Sequence, residues 1–314
     1  MKLITQIPCL NEEASIATVL AELPRSIPGV DVVETLIIDD GSTDRTCEVA
    51  RQNGANHILP LKCNRGLAFA FRSGLEECIR LGADLIVNTD GDNQYRGEDI
   101  PRLVEPLVQG RADCVIGIRD MAVISHFSAQ KKLLQRLGSW TVRKLSGTAI
   151  LDATSGFRAF TRGAAVSLDL VTDYTYTLES LIALGKERAV IAQIPIVTNR
   201  QVRESRLIKS IRKYVFQCGA DIIRIYMRYE AFKTFASLGG FAIVAGLSCG
   251  LYYTLNRLLS NGRSMVMLAF FSLFTLSGLL FVMLGFLGDS IAANRRLLNK
   301  LNRHIRLNGK GPQS

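Results

Sequence analysis

The chain has 314 residues, 48% of them apolar, 21% charged, and a net charge of +10 at neutral pH. That length holds one domain of about 200 residues plus extra segments. The seven cysteines show no C-x-x-C spacing and the three histidines (57, 126, 304) are scattered, which excludes a disulfide scaffold, a zinc site and a histidine-based triad. In chain order, Leu3 to Ile7 reads as a short strand broken at Pro8, followed by Asn11 as a cap and a helix from about Ala14 to Leu23. A strand over Glu34 to Ile38 runs into Asp39-Asp40-Gly41-Ser42-Thr43-Asp44 and then a helical pattern through Cys47, Val49 and Ala50. Asn64-Arg65-Gly66 opens another helix, with Phe71, Leu75 and Ile79 on one face. The apolar run Asp84 to Thr89 ends in Asp90-Gly91-Asp92-Asn93-Gln94. Alternating strands and helices predict a mostly parallel sheet with ligands at the carboxyl ends of its strands.

Carboxylates two apart at a strand-to-loop transition suit a hard divalent cation that keeps positions open for a diphosphate. An Asp-Gly turn is the plain alternative for one such pair. A calcium loop of the EF-hand type is excluded, because its sixth and twelfth positions are Tyr95 and Pro101 rather than Gly and Glu.

Two stretches further on carry no charge at all, Thr234 to Asn256 and Ser264 to Gly288. Each exceeds the roughly 20 residues that cross a hydrocarbon core of about 30 Å, so a transmembrane hairpin is expected. Gly246 and Gly250 form a G-x-x-x-G pair that would let two helices, or two subunits, approach. Basic residues crowd both flanks: Arg206 to Lys233 before the hairpin, Arg295 to Lys310 after it, and only Arg257 and Arg263 between. This distribution assigns the positive charge to the membrane surface rather than to nucleic acid, and places both termini in the cytosol. Apolar residues interleaved with the first basic group, from Leu207 to Tyr226, predict amphipathic helices at the headgroup level. Met1 leads straight into strand-like sequence, so no signal peptide is expected.

The ordered series Pro8-x-x-Asn11-Glu12, Asp39-Asp40-Gly41-Ser42, Asn64-x-Gly66, Asp90-x-Asp92-x-Gln94 and Asp152-x-x-Ser155-Gly156-Phe157-Arg158 resembles glycosyltransferase family 2. Within that family it is most similar to the dolichyl- and polyprenyl-phosphate sugar synthases, over residues 3 to about 210. The resemblance implies a GT-A-type α/β domain over 1–203, amphipathic juxtamembrane helices over 204–233, a hairpin over 234–289 (about 234–257 and 264–288), and a basic cytosolic tail over 290–314. It implies a membrane-bound inverting transferase that moves a hexose from a nucleoside-diphosphate sugar to a polyprenyl phosphate, in a plasma or inner membrane. Pro8, Asn11, Glu12, Asp39 and Asp40 would line the base and ribose pocket, with Asp90 also on the donor. Asp90, Asp92 and Gln94 would hold Mg²⁺ or Mn²⁺. Arg119 would face the acceptor phosphate and Arg200 the donor phosphates, and Asp152 would act as a base or a positioning group, capping of the Ser155-Gly156 turn being its structural alternative.

Two departures from the family pattern fall on the acceptor side. Lys131 and Gln135 stand where the family has Arg and Ser four apart, and Arg203 stands where Gly is usual. Two other readings stay open: a transferase acting on another lipid such as a diacylglycerol, and a catalytically silent membrane protein that binds a nucleotide sugar. A processive polysaccharide synthase would carry more membrane segments and a Q-x-x-R-W motif, whereas Gln135 to Trp140 has the wrong spacing. Homo-oligomer formation is left open.

Overall fold

The computed structural model of the chain describes residues 1–119, 143, 146–170, 176–199, 211–260 and 265–307. Lys131, Gln135, Arg200 and Arg203 lie outside them. The described residues comprise β1 (Lys2–Cys9), α1 (Ile16–Glu22), β2 (Val32–Asp39), α2 (Thr46–Gln52), β3 (His57–Pro60), α3 (Leu67–Arg80), β4 (Leu85–Asn88), a 3₁₀ turn at Gly97–Asp99, α4 (Ile100–Val108), β5 (Cys114–Arg119), β6 (Arg158–Thr161), α5 (Arg162–Ser167), α6 (Tyr176–Lys186), β7 (Ile191–Ile196), α7 (Ile211–Ser260) and α8 (Met265–Leu307).

The strands form one sheet in the order β3-β2-β1-β4-β6-β5-β7. All neighbours are parallel except β6, which runs antiparallel to both β4 and β5. Helices cover both faces, so the central strands are buried and largely apolar: Leu3, Ile4, Ile7 and Leu36 to Ile38 are fully buried. Each such side chain contributes about 1.5–3 kcal/mol of burial. One cluster packs α4 under β1, β4, β5 and β6 through Leu103, Val104, Val87 and Phe157, and another packs α1 and α2 on β1 and β2 through Ile16, Val19, Ile37 and Ala50.

The strand expected to break at Pro8 instead continues to Cys9, pairing Pro8 with Ile38. The physical reason is register. Gln6 bonds toward β4, since its carbonyl accepts from Thr89, whereas the Cys9 carbonyl accepts from Asp40 on the β2 side. The missing N–H of Pro8 therefore faces the β4 side, where pairing has already ended at Gln6 and Asn88. Asn11 is not a helix cap. It adopts φ 55° and its side chain leaves the helix altogether; the Glu12 carbonyl receives the first amides, from Ser15 and Ile16.

A second compact unit spans Ile222–Asn302. Its helices include two stretches long and apolar enough to cross a membrane, Glu230–Leu259 and Met265–Arg295, with mean hydropathies of 1.6 and 2.3. Their apolar side chains are largely solvent-facing, Phe241, Leu258 and Leu259 being 78%, 81% and 82% exposed, the reverse of a soluble core. Helix α7 departs from helical geometry at Glu230 (φ −135°, ψ 34°), where Glu230 pairs with Lys233 at 2.8 Å, so the apolar span begins at a break in the helix. The small-residue pattern is used within the hairpin. A Cβ on Gly239 would lie 2.6 Å from the Gly278 carbonyl, one on Gly246 2.9 Å from the Thr275 amide, and one on Gly250 2.7 Å from the Phe271 ring.

Candidate active site

The carboxyl ends of β1, β2 and β4 deliver three loops to one edge of the sheet, and hydrogen bonds lock them together. Asn11 N–H donates to Ser42 Oγ at 2.9 Å, and the Asn11 side-chain carbonyl accepts from Thr43 N–H at 2.8 Å. Glu12 N–H donates to Thr46 Oγ1 at 2.8 Å. Ser15 Oγ reaches across to the Gly91 carbonyl at 2.7 Å, with Glu12 Oε2 3.0 Å away. The Pro8–Glu12 segment is thus joined to the loop after β2 and to the loop after β4.

The two carboxylates that end β2 are already engaged. Asp40 accepts the Arg65 and Gly66 amides, one on each oxygen, both at 2.8 Å, and so holds the start of α3. Asp39 accepts Ser42 N–H at 3.1 Å and the Cys47 thiol, whose pKa is pushed up to about 11 by burial and by that bond. Gly41 sits at φ +77°, and a Cβ there would lie 2.7 Å from the Asn64 amide nitrogen, so only glycine lets these two loops close on one another.

The carboxylates after β4 differ. Among the described residues, Asp92 accepts only the Gln94 amide, at 3.1 Å. Asp90 is only partly exposed, and no hydrogen bond reaches its carboxylate among the described residues. Burial, and then repulsion from Asp92, push its pKa up to about 7. Two oxygen-donor side chains and the Gln94 amide two residues on make a donor set that fits Mg²⁺ or Mn²⁺ completed by diphosphate and water. Among the described residues, no three His, Cys, Asp or Glu side chains converge as a closed cage. The loop is braced by the strand end that precedes Arg200: Asn199 donates its amide to the Gln94 carbonyl at 2.9 Å and its side chain to the Asn93 carbonyl at 3.1 Å.

Arg119, at the end of β5, and Asp152 form a buried fork. Nε and Nη2 of Arg119 donate to the two Asp152 oxygens at 2.8 and 3.0 Å, and Nη2 also meets Thr154 Oγ1 at 2.8 Å. Side-chain exposure is 8% and 1%. Burial alone would lower the arginine pKa; the Tyr95 oxygen, Asp152 and Asp90 outweigh it and raise the value. Among the described residues these bonds use Nε and Nη2 and none uses Nη1, whose two N–H groups suit an anion.

Sequence reasoning missed the residues that hold this arrangement. Arg158 is fully buried and spans the loop from Asp152 to Ser155, donating to the Ala153, Ser155 and Thr177 carbonyls, each at 2.8 Å, and to Ser180 Oγ at 2.6 Å. A polar Asn88 closing the apolar run Leu85–Val87 was a legible signal; the tyrosine after Gln94 was not.

A family model described as glycosyl transferase family 2 matches residues 6–167, more than half of the chain. The chain belongs to glycosyl transferase family 2. An undecaprenyl-phosphate mannosyltransferase of Micrococcus luteus is 28% identical over 218 residues, covering 66% of this chain and 88% of that one. The glycosyltransferase AglJ of Haloferax volcanii is 26% identical over 298 residues, 92% and 93% of the two chains, so that similarity reaches through the apolar helices. Glucosyl-3-phosphoglycerate synthase of Mycobacterium tuberculosis, solved with Mn²⁺, UDP-glucose and phosphoglyceric acid, superposes with a TM-score of 0.56 at 22% identity over 72% of this chain and 78% of that one. At that identity the likeness is one of fold, and it agrees with the family 2 α/β sheet found here.

Proposed function

We propose that this family 2 glycosyltransferase moves a sugar from a nucleoside-diphosphate sugar to a polyprenyl phosphate at the membrane surface. The observation that carries the reading is the Asp90–Asp92 pair, two carboxylates at the sheet edge that accept, among the described residues, one amide between them, while burial and repulsion from Asp92 outweigh the pull of Arg119 on Asp90. The relatives named as acting on undecaprenyl phosphate and as a polyprenol monophosphomannose synthase support the acceptor, and the apolar hairpin supports the surface at which such a lipid would be met.

In this proposal Asp90 and Asp92, with Gln94, hold Mg²⁺ or Mn²⁺. When bound, the cation would neutralise the nucleoside diphosphate as it departs. Asn11, Glu12 and Asp39 line the base and ribose, Pro8 fixes the strand end, and Asp40 contributes by holding the Asn64–Gly66 loop rather than by a free oxygen. An oxygen of the acceptor phosphate attacks the anomeric carbon while the bond to the diphosphate breaks on the opposite face, which inverts the centre. A phosphate with a second pKa near 6 is already largely dianionic and needs no base. Asp152, held in its ion pair, is therefore assigned to orienting Arg119, whose Nη1 meets the acceptor phosphate. Lys131 and Gln135 are proposed as further acceptor contacts and Arg200 as a contact to the donor phosphates, on the family resemblance. The domain division at 203, 233 and 289 and the cytosolic placement of both termini belong to the same proposal.

Membranes containing the protein, incubated with a panel of labelled nucleotide sugars and short polyprenyl phosphates and then extracted, should yield labelled lipid in Mg²⁺ or Mn²⁺ and none in EDTA. Label appearing on diacylglycerol alone would replace the acceptor, and no transfer with any donor would favour a silent binding protein. A single cysteine placed at Asn261 should react with an impermeant reagent on intact cells; protection of that site in folded protein would reverse the topology.

A further inference from the structure

Gly156 sits where a side chain would meet Asp90. A Cβ built on it would lie 3.3 Å from each Asp90 carboxylate oxygen and 3.0 Å from Tyr176 Oη. Both of its backbone polar groups are fixed by buried side chains: Asn88 Nδ2 donates to its carbonyl at 2.8 Å, and its N–H donates to Tyr95 Oη at 3.1 Å. Those two anchors are themselves immobilised. Gln6 Nε2 donates to Asn88 Oδ1 at 2.9 Å, and the Tyr95 ring stacks on Phe157 with centroids 5.1 Å apart and planes 9° apart. Tyr176 stacks on Phe71 at 4.2 Å. A loop backbone is thus clamped on both sides and presses its one residue without a side chain against the Asp90 carboxylate, which no donor reaches among the described residues.

We infer that Gly156 is a spacing residue and Asn88 and Tyr95 are positioning residues that set the Asp90 carboxylate for a divalent cation, so that the Asp152–Arg158 loop shapes the metal site as well as the acceptor side. This rests on the proposed metal role of Asp90. The Gly156 backbone offers no oxygen or nitrogen to the cation; it fixes how much room the two Asp90 oxygens have, and the methyl of Gly156→Ala would occupy space next to both. Partners that orient a metal-binding carboxylate typically matter by about tenfold to a hundredfold in affinity.

The test titrates Mn²⁺ alone into the full chain in detergent, following the free-ion signal by electron paramagnetic resonance, with the melting temperature recorded in parallel. Gly156→Ala and Tyr95→Phe should each weaken Mn²⁺ about tenfold or more, while Leu151→Ala, exposed on the adjoining stretch, should bind as the parent does. Tyr95→Phe keeps the ring stack and removes only the oxygen that receives Gly156 N–H, so it decides the matter if Gly156→Ala does not fold. Asp90→Asn separates the two levels. If Asp90→Asn leaves Mn²⁺ affinity unchanged, the metal assignment itself fails; if it abolishes binding while folded Gly156→Ala and Tyr95→Phe bind like the parent, the spacing role is overturned.

Discussion

Two strands of the same sheet end in paired acidic residues, and the pairs are built for different work. Asp40, just after β2, has both oxygens engaged by amides of the protein, and Asp39, the last residue of β2, accepts an amide and a thiol. Among the described residues, Asp90 and Asp92, after β4, receive one amide between them, and burial with mutual repulsion makes Asp90 reluctant to ionise. Carboxylates whose oxygens are satisfied internally act as scaffold, while carboxylates left with unmet charge are available to a ligand. In a sequence the two pairs look alike; hydrogen-bond accounting tells them apart.

The largest effect that could break this contrast is on transfer. Asp92→Asn should lower kcat by roughly a thousandfold, since a cation supplies several kcal/mol of charge stabilisation, with the circular dichroism spectrum unchanged. A loss below tenfold would put Asp92 with the scaffold group. Next comes Arg119→Ala, expected to cost about 10- to 150-fold in kcat/KM for polyprenyl phosphate, corresponding to about 1.5–3 kcal/mol for a hydrogen bond to a charged group. Because Asp152 is paired with Arg119, the double variant with Asp152→Ala should cost little more than the single one. Additive losses in that cycle would give Asp152 an independent role.

The scaffold carboxylate Asp40 should fail in stability instead. Asp40→Ala leaves the Arg65 amide without its acceptor and the Gly66 amide with Asn64 Oδ1 alone, and should lower unfolding free energy by about 1–3 kcal/mol, with metal affinity retained in the folded fraction. The smallest effect is at Asp44, whose Oδ1 receives Thr46 N–H at 3.0 Å and whose Oδ2 receives Glu13 N–H at 3.2 Å. Despite partial burial, the Thr46 hydroxyl, which also donates to Oδ1, and then these two amides hold its pKa below the usual carboxylate value. A depressed folded pKa contributes stability above the unfolded pKa of about 3.9, and the contribution fades as pH falls through the folded value. Asp44→Asn should therefore cost about 1 kcal/mol at pH 7, and the gap to the parent in thermal melts should close on acidification below about pH 4.

Much of this was legible before any coordinates. The βα alternation, the acidic strand ends and the two uncharged stretches needed only periodicity and composition. The reach of β1 through Pro8 was not legible, because it depends on where the neighbouring strand stops. Nor was the pairing of Arg119 with Asp152: the two are far apart in sequence, and only the strand order that sets β6 beside β5 brings their flanking residues together. Arg158 and Gly156 stood in a visible motif, yet their work is done through backbone carbonyls and amides that a sequence does not display.

The most direct test of the contrast is transfer of labelled sugar into polyprenyl phosphate by the parent, Asp90→Asn and Asp40→Asn, each stripped with EDTA and then titrated with Mn²⁺. The account predicts that the parent and folded Asp40→Asn recover activity over the same Mn²⁺ range and that Asp90→Asn recovers little at any concentration. Full recovery by Asp90→Asn, or a Mn²⁺ requirement shifted by Asp40→Asn as strongly as by Asp90→Asn, would contradict it.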